Sequence, residues 1–106
     1  MQTSIVPDTG YAIYLVLDEV GNYGPIWREI SDGEANEATI IDWIAQGQFD
    51  HPLRVVAFNT EEGWSHDMTR NIATKLLDLD QNGVTLGAAV REFVERVTGR
   101  SATAIV

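Results

Sequence analysis

The chain reads as an α+β protein, a small mixed sheet of three or four strands packed against helices, in the order β-β-α-β-α-α. Three observations predict this. Two short apolar runs rich in β-branched and aromatic residues bracket a turn around residues 20–25. Three later segments repeat their apolar residues at helical spacing. A further run at 53–59, LRVVAFN, separates the first of those segments from the other two. With 106 residues, 44% of them hydrophobic and 22% charged, the chain supports one core in a single domain over 1–106. Residues 1–9 and 100–106 are expected as frayed tails, the latter able to add to a sheet edge.

Residues 11–18, YAIYLVLD, are apolar on both alternating sets: Tyr11, Ile13, Leu15 and Leu17 on one, Ala12, Tyr14 and Val16 on the other. That pattern predicts a strand covered on both faces. VGNYGP at 20–25 carries turn chemistry, and residues 26–30 return as a second strand, with Ile26, Arg28 and Ile30 on one face and Trp27 and Glu29 on the other. Asp32, Gly33 and Glu34 are expected to open a helix whose stripe is Ala38, Ile41, Ile44 and Ala45, with Ile40 alongside and Gly47 as its stop. Its length suits a crossover to a third strand at 53–59. After a loop at 60–64, Ser65 is placed as the cap of a second helix carrying Met68, Ile72, Leu76 and Leu79 beside Ala73 and Leu77, broken at 80–83. Thr85 is placed as the cap of a third, with Leu86, Val90, Phe93 and Val97 on one face and Gly99 closing it. The last two helices are expected to pair and complete the core.

Composition excludes several classes of function. Without cysteine there is no disulfide, thiolate metal site or cysteine nucleophile. No apolar run reaches membrane-spanning length, and the start, MQTSIVPD, lacks signal-peptide character. A cytoplasmic protein without a membrane partner is expected. Sixteen acids against seven bases give a net charge of −9, which disfavours direct nucleic-acid binding. Residues 1–66 hold eleven of the acids and only two bases, Arg28 and Arg54, whereas 67–106 are balanced. The ordinary consequence is solubility; the sharper one is a negative face that steers toward a basic protein partner.

Catalytic templates fail. Ser65, His66 and Asp67 are consecutive, so their side chains diverge, and no nucleophile-elbow string is present. His51 and His66 flank a strand of seven residues, whose ends lie about 23 Å apart, too far for one ion. The acids offer only solvated pairs, and Lys75, the one lysine, is placed on a helix side. Asp78, Asp80, Asn82 and Gly83 match positions 1, 3, 5 and 6 of a calcium loop, but position 12 is Ala89, which offers no oxygen. Turn chemistry accounts for the same residues. The aromatic residues suggest more. Trp27, Trp64 and Tyr23 beside acids have the composition of a protein-binding surface, although Trp64 also fits as a staple before a helix.

The stretch RVVAFNTEEGWSHD at 54–67 resembles a block of small bacterial proteins with no assigned activity. The tyrosine-rich first strand ending in Leu17 and Asp18, followed by Trp27, Arg28 and Glu29, is similar too, so the resemblance covers about residues 11–80. It implies a bacterial cytosolic protein. Members tend to carry a basic residue where this chain has His66, which argues against a metal or catalytic role there. It also singles out residues 59–64 as the functional loop.

The function expected is that of a small acidic interaction or regulatory module, without catalysis or cofactor. Its binding surface is expected from Trp27, Asn59, Thr60, Glu61, Glu62 and Trp64, with a homodimer through edge pairing as a further possibility. One alternative is a divalent-metal or small-ligand site at Asp78, Asp80 and Asn82. Another is an enzyme with its site at the end of the third strand, at Asn59, Glu61, His66 and Asp67.

Overall fold

The computed structural model describes residues 12–30, 36–59 and 61–100. Four strands and three helices follow one another as β1 (Ala12–Glu19), β2 (Pro25–Ile30), α1 (Glu37–Ala45), β3 (Pro52–Asn59), β4 (Trp64–Asp67), α2 (Thr69–Gln81) and α3 (Ala88–Thr98). The α+β class is as expected, with one strand more in the order. The sheet runs β2-β1-β3-β4. Every neighbouring pair is antiparallel, which corrects the mixed sheet. β2 and β3 do run the same way through the α1 crossover, but β1 lies between them, so no parallel ladder forms.

The β1–β2 turn is a single 3-10 turn at Gly21–Tyr23, and the register sets Val16 opposite Arg28 and Leu17 opposite Trp27. Helix α1 begins where the Asn36 side chain accepts from the Thr39 N–H at 2.9 Å; the expected start at 32–34 lies outside the described residues, as do both tails. Both α1 and α2 end in the same way. Gly47 and Gly83 adopt φ of 84° and 100°, and the residue after each reaches back to the helix, Gln48 N to Trp43 O and Val84 N to Leu79 O, both at 3.0 Å. This is the Schellman arrangement, which a residue with a Cβ enters only with strain.

Two helix starts differ from expectation. Ser65 caps nothing: residues 64–67 pair with β3, setting Trp64 opposite Asn59 and His66 opposite Ala57. Trp64 is therefore a strand residue and not a staple. The α2 start is held instead by Asp67, whose Oδ1 accepts from Thr69 N at 3.0 Å. Thr85 also leaves its helix uncapped, since α3 starts later, at Gly87, with no side-chain cap.

The core lies between one sheet face and the three helices. Tyr14, Val16, Ile30, Val55 and Ala57 meet Ile40 and Ile44 of α1, Ile72, Ala73, Leu76 and Leu77 of α2, and Val90, Phe93 and Val94 of α3. The helical stripes are those the spacing predicts, with Val94 added and Ala38 left exposed. Burying a large side chain in such a core contributes about 1.5–3 kcal/mol, so these residues dominate stability. The other face, Ile13, Leu15, Leu17, Val56 and Phe58, joins neither the core nor its margin. All three helices lie on one side of β1, and no described element is layered on the second, where the sequence pattern predicts a covered face.

Candidate functional site

The sheet register gathers the outward set into one surface. Reading across the strands, Ile13 lies beside Phe58, Leu15 beside Val56, and Leu17 between Trp27 and Arg54. The five aliphatic and phenyl side chains are half-buried, and Trp27 is 46% exposed. Two strands at about 4.8 Å spacing make the stripe about 10 Å wide, and five residues of β1 make it about 15 Å long. Its two flanks differ. On the β2 side stands Glu29, opposite Leu15, with Glu19 at the end of β1; neither carboxylate has a hydrogen-bond or ion-pair partner among the described residues.

On the β4 side Asp67 is fully engaged. Its Oδ2 accepts from Arg54 Nη2 at 2.6 Å, and its Oδ1 accepts from the Thr69 hydroxyl at 2.6 Å as well as from the Thr69 N–H. The Thr69 hydrogen bonds, with Arg54 adding to them, hold the Asp67 carboxyl below its ordinary value. This flank is therefore close to neutral, and the unpaired negative charge lies on the other.

The covered face carries an ion pair of a different kind. Asp18 is 0% exposed and accepts from Arg28 Nη1 at 2.8 Å, Asp50 N at 3.1 Å and His51 N at 2.7 Å. The Arg28 guanidinium also lies over the Phe49 ring, 5.3 Å from its centre. Both carboxylate oxygens are engaged, and the group ties the 47–51 connection to β1 and β2.

Of the residues singled out in the sequence, Asn59, Glu61, Glu62 and Trp64 meet at the β3–β4 hairpin, and Trp27 does not join them. Trp27 lies on the open face at the β2 edge, whereas Trp64 lies on the opposite face at the β4 edge, half-buried against the core margin. Asn59 is 3% exposed; its side-chain oxygen accepts from Glu61 N at 2.9 Å and Glu62 N at 2.7 Å, shaping the hairpin turn from beneath. Thr60 lies outside the described residues. Glu61 and Glu62 are exposed, and Glu62 accepts from the Trp64 indole at 3.0 Å. Tyr23, 83% exposed, stands alone in its turn.

Neither alternative site converges. Asp78 and Asp80 lie within α2, two residues apart and so about 200° around the helix, and Asn82 turns its amide back to the Asp78 carbonyl at 2.8 Å. Among the described residues no group of three or more His, Asp or Glu could hold a metal. His66 and Asp67 project to opposite faces of β4; the His66 ring stacks against Trp64 at 4.9 Å, and His51 pairs with Glu92 at 2.9 Å. A shallow cleft of about 380 Å³ between α1 and α2 has apolar walls at Ala38, Ile41 and Leu79, but its rim of Asp42, Asp78 and Lys75 directs no buried polar group into it.

No family model, curated protein or solved structure matches the chain. The function therefore has to be argued from the surface itself. Among the described residues no helix is long and apolar enough to cross a membrane.

Sequence reasoning singled out Trp27 but missed the five residues beside it. The signal was present in the second apolar set of the first strand, read there as a buried face. What turns it into an open one is the placement of all three helices on one side, and periodicity does not encode that.

Proposed function

We propose that this protein is a small acidic interaction module, bacterial and cytoplasmic, that acts by binding another protein and not by catalysis. The contact surface in this reading is the open face of the sheet. The observation that carries it is the gathering of Ile13, Leu15, Leu17, Trp27, Val56 and Phe58 into one apolar stripe that no described element covers. Apolar surface rimmed by polar residues is a feature of protein docking sites. A tryptophan at its margin adds a residue type enriched among binding hot spots. The bacterial and cytosolic setting comes from the resemblance of residues 54–67. The metal and enzyme alternatives draw less support, because their residues point apart.

The test is capture from a bacterial cytosolic extract on three immobilised proteins: the unaltered chain, a face variant (Leu15→Lys with Phe58→Lys) and a loop variant (Glu61→Lys with Glu62→Lys). A partner retained by the unaltered chain and the loop variant, and lost from the face variant, is the expected outcome. A partner lost only from the loop variant would move the site to the β3–β4 hairpin.

A further inference from the structure

We infer that the occupant of the open face is a basic amphipathic helix supplied by the partner, an inference that rests on reading that face as a docking surface. Three features of the surface support it. The first is width: an apolar stripe two strands across, about 10 Å, matches the diameter of one helix. The second is length: about 15 Å accepts about ten helical residues, close to three turns, which is enough for an i, i+3, i+4, i+7 set of anchors. The third is charge. Glu29 stands on the β2 flank and Glu19 at the end of the β1 row, neither paired among the described residues, while Arg54 and Asp67 neutralise each other on the β4 side. A helix lying along the strands meets Glu29 with Lys or Arg on the side facing β2 and Glu19 with one at its end, and its remaining flank needs no charge.

The same charges disfavour a second copy of the chain. Packing this face on itself about a two-fold axis along the strands sets Glu29 against the Asp67 side of the other copy. An axis across the strands sets Glu29 against Glu29, and in either case two chains of net charge −9 are brought together. A basic helix gains from the field that opposes self-association.

The probe is a synthetic peptide of fourteen residues with a leucine stripe, lysines along one flank and neutral polar residues elsewhere. Its control carries glutamate at each lysine position. Binding to the full chain is followed by isothermal titration, amide NMR and the peptide's circular dichroism. The lysine peptide is expected to bind at least tenfold more tightly than the control, to gain helicity on binding, and to shift amides of β1 and β3. Glu29→Lys, an exposed change that leaves the core intact, should weaken it at least threefold, and 0.5 M salt should reduce the preference for lysine. Equal affinity for both peptides, shifts confined to the α1–α2 cleft, or binding without helix formation would each overturn the inference. So would a dimer of the chain alone that Leu15→Lys dissociates, or binding of the chain to phosphatidylcholine vesicles through Trp27. The docking reading fails separately, when a captured partner is indifferent to the face variant, and survives if that partner binds the face as a strand or through acidic residues.

Discussion

Val55 and Val56 are consecutive in β3 and identical in chemistry, yet Val55 is fully buried under the helices and Val56 looks onto the open stripe. The whole sheet repeats that division. Its inner face is Tyr14, Val16, Val55 and Ala57 closed by three helices; its outer face is as apolar, but nothing described lies on it. Residues that fold a protein and residues that bind a partner need not differ in composition. What separates them is which side the remaining chain covers.

That comparison can be broken by substitutions taken in pairs. The largest effect is expected at the phenylalanines. Phe93→Ala removes a 0%-exposed side chain from the middle of the core and should cost about 3–5 kcal/mol. Phe58→Ala, on the open face, should cost about 1 kcal/mol because its ring is already partly in water; urea unfolding at equilibrium measures both. Equal losses would mean that the outer face is covered after all.

The two aspartates come next. Asp18→Ala leaves Arg28 without its partner and two backbone N–H groups without an acceptor, and should cost about 3 kcal/mol. Asp67→Ala removes a half-exposed ion pair together with the two Thr69 bonds that hold the α2 start, and should cost about 1–2 kcal/mol. The valines sharpen the comparison further. Val55→Ala is expected to lower stability by about 2 kcal/mol and Val56→Ala by about half that or less, read as the shift in urea midpoint at constant slope.

The smallest effect is one of pH. Folding lowers the Asp67 pKa from its ordinary value of 3.8, so in acid the native chain binds fewer protons there than the unfolded one. The resulting stability is fully present above the unfolded value and is lost as the pH falls through the lowered native one. Screened by water, it is a fraction of a kcal/mol. Comparing Asp67→Asn with the unaltered chain at pH 6 and pH 2.5 should show a gap that closes in acid.

Local patterns made much of this legible. The β1–β2 hairpin, the three helical stripes and the stops at Gly47, Gly83 and Gly99 follow from residue spacing and turn chemistry within a few positions of one another. What could not be read depends on distant partners. WSHD at 64–67 has no strand periodicity of its own and becomes β4 only because Asn59 folds the hairpin beneath it. Asp18 looks like one more solvated acid until the 47–51 segment closes over it. The apolar stripe belongs to the same class, since Trp27 beside Leu17 and Val56 beside Leu15 form one surface only after β1 has been set between β2 and β3.

The placement of β1 also has a kinetic consequence. Its contacts with β2 need only the short turn at Gly21–Tyr23, whereas Val16 meets Val55 only after the second strand and the whole of α1 have been passed over. Closing the longer loop requires chain entropy to be surrendered before any ladder contact compensates for it, so the rate of self-assembly is governed there. Until that closure the leucines of β1 have only β2 beside them, and the nascent chain presents their β3 side to solvent.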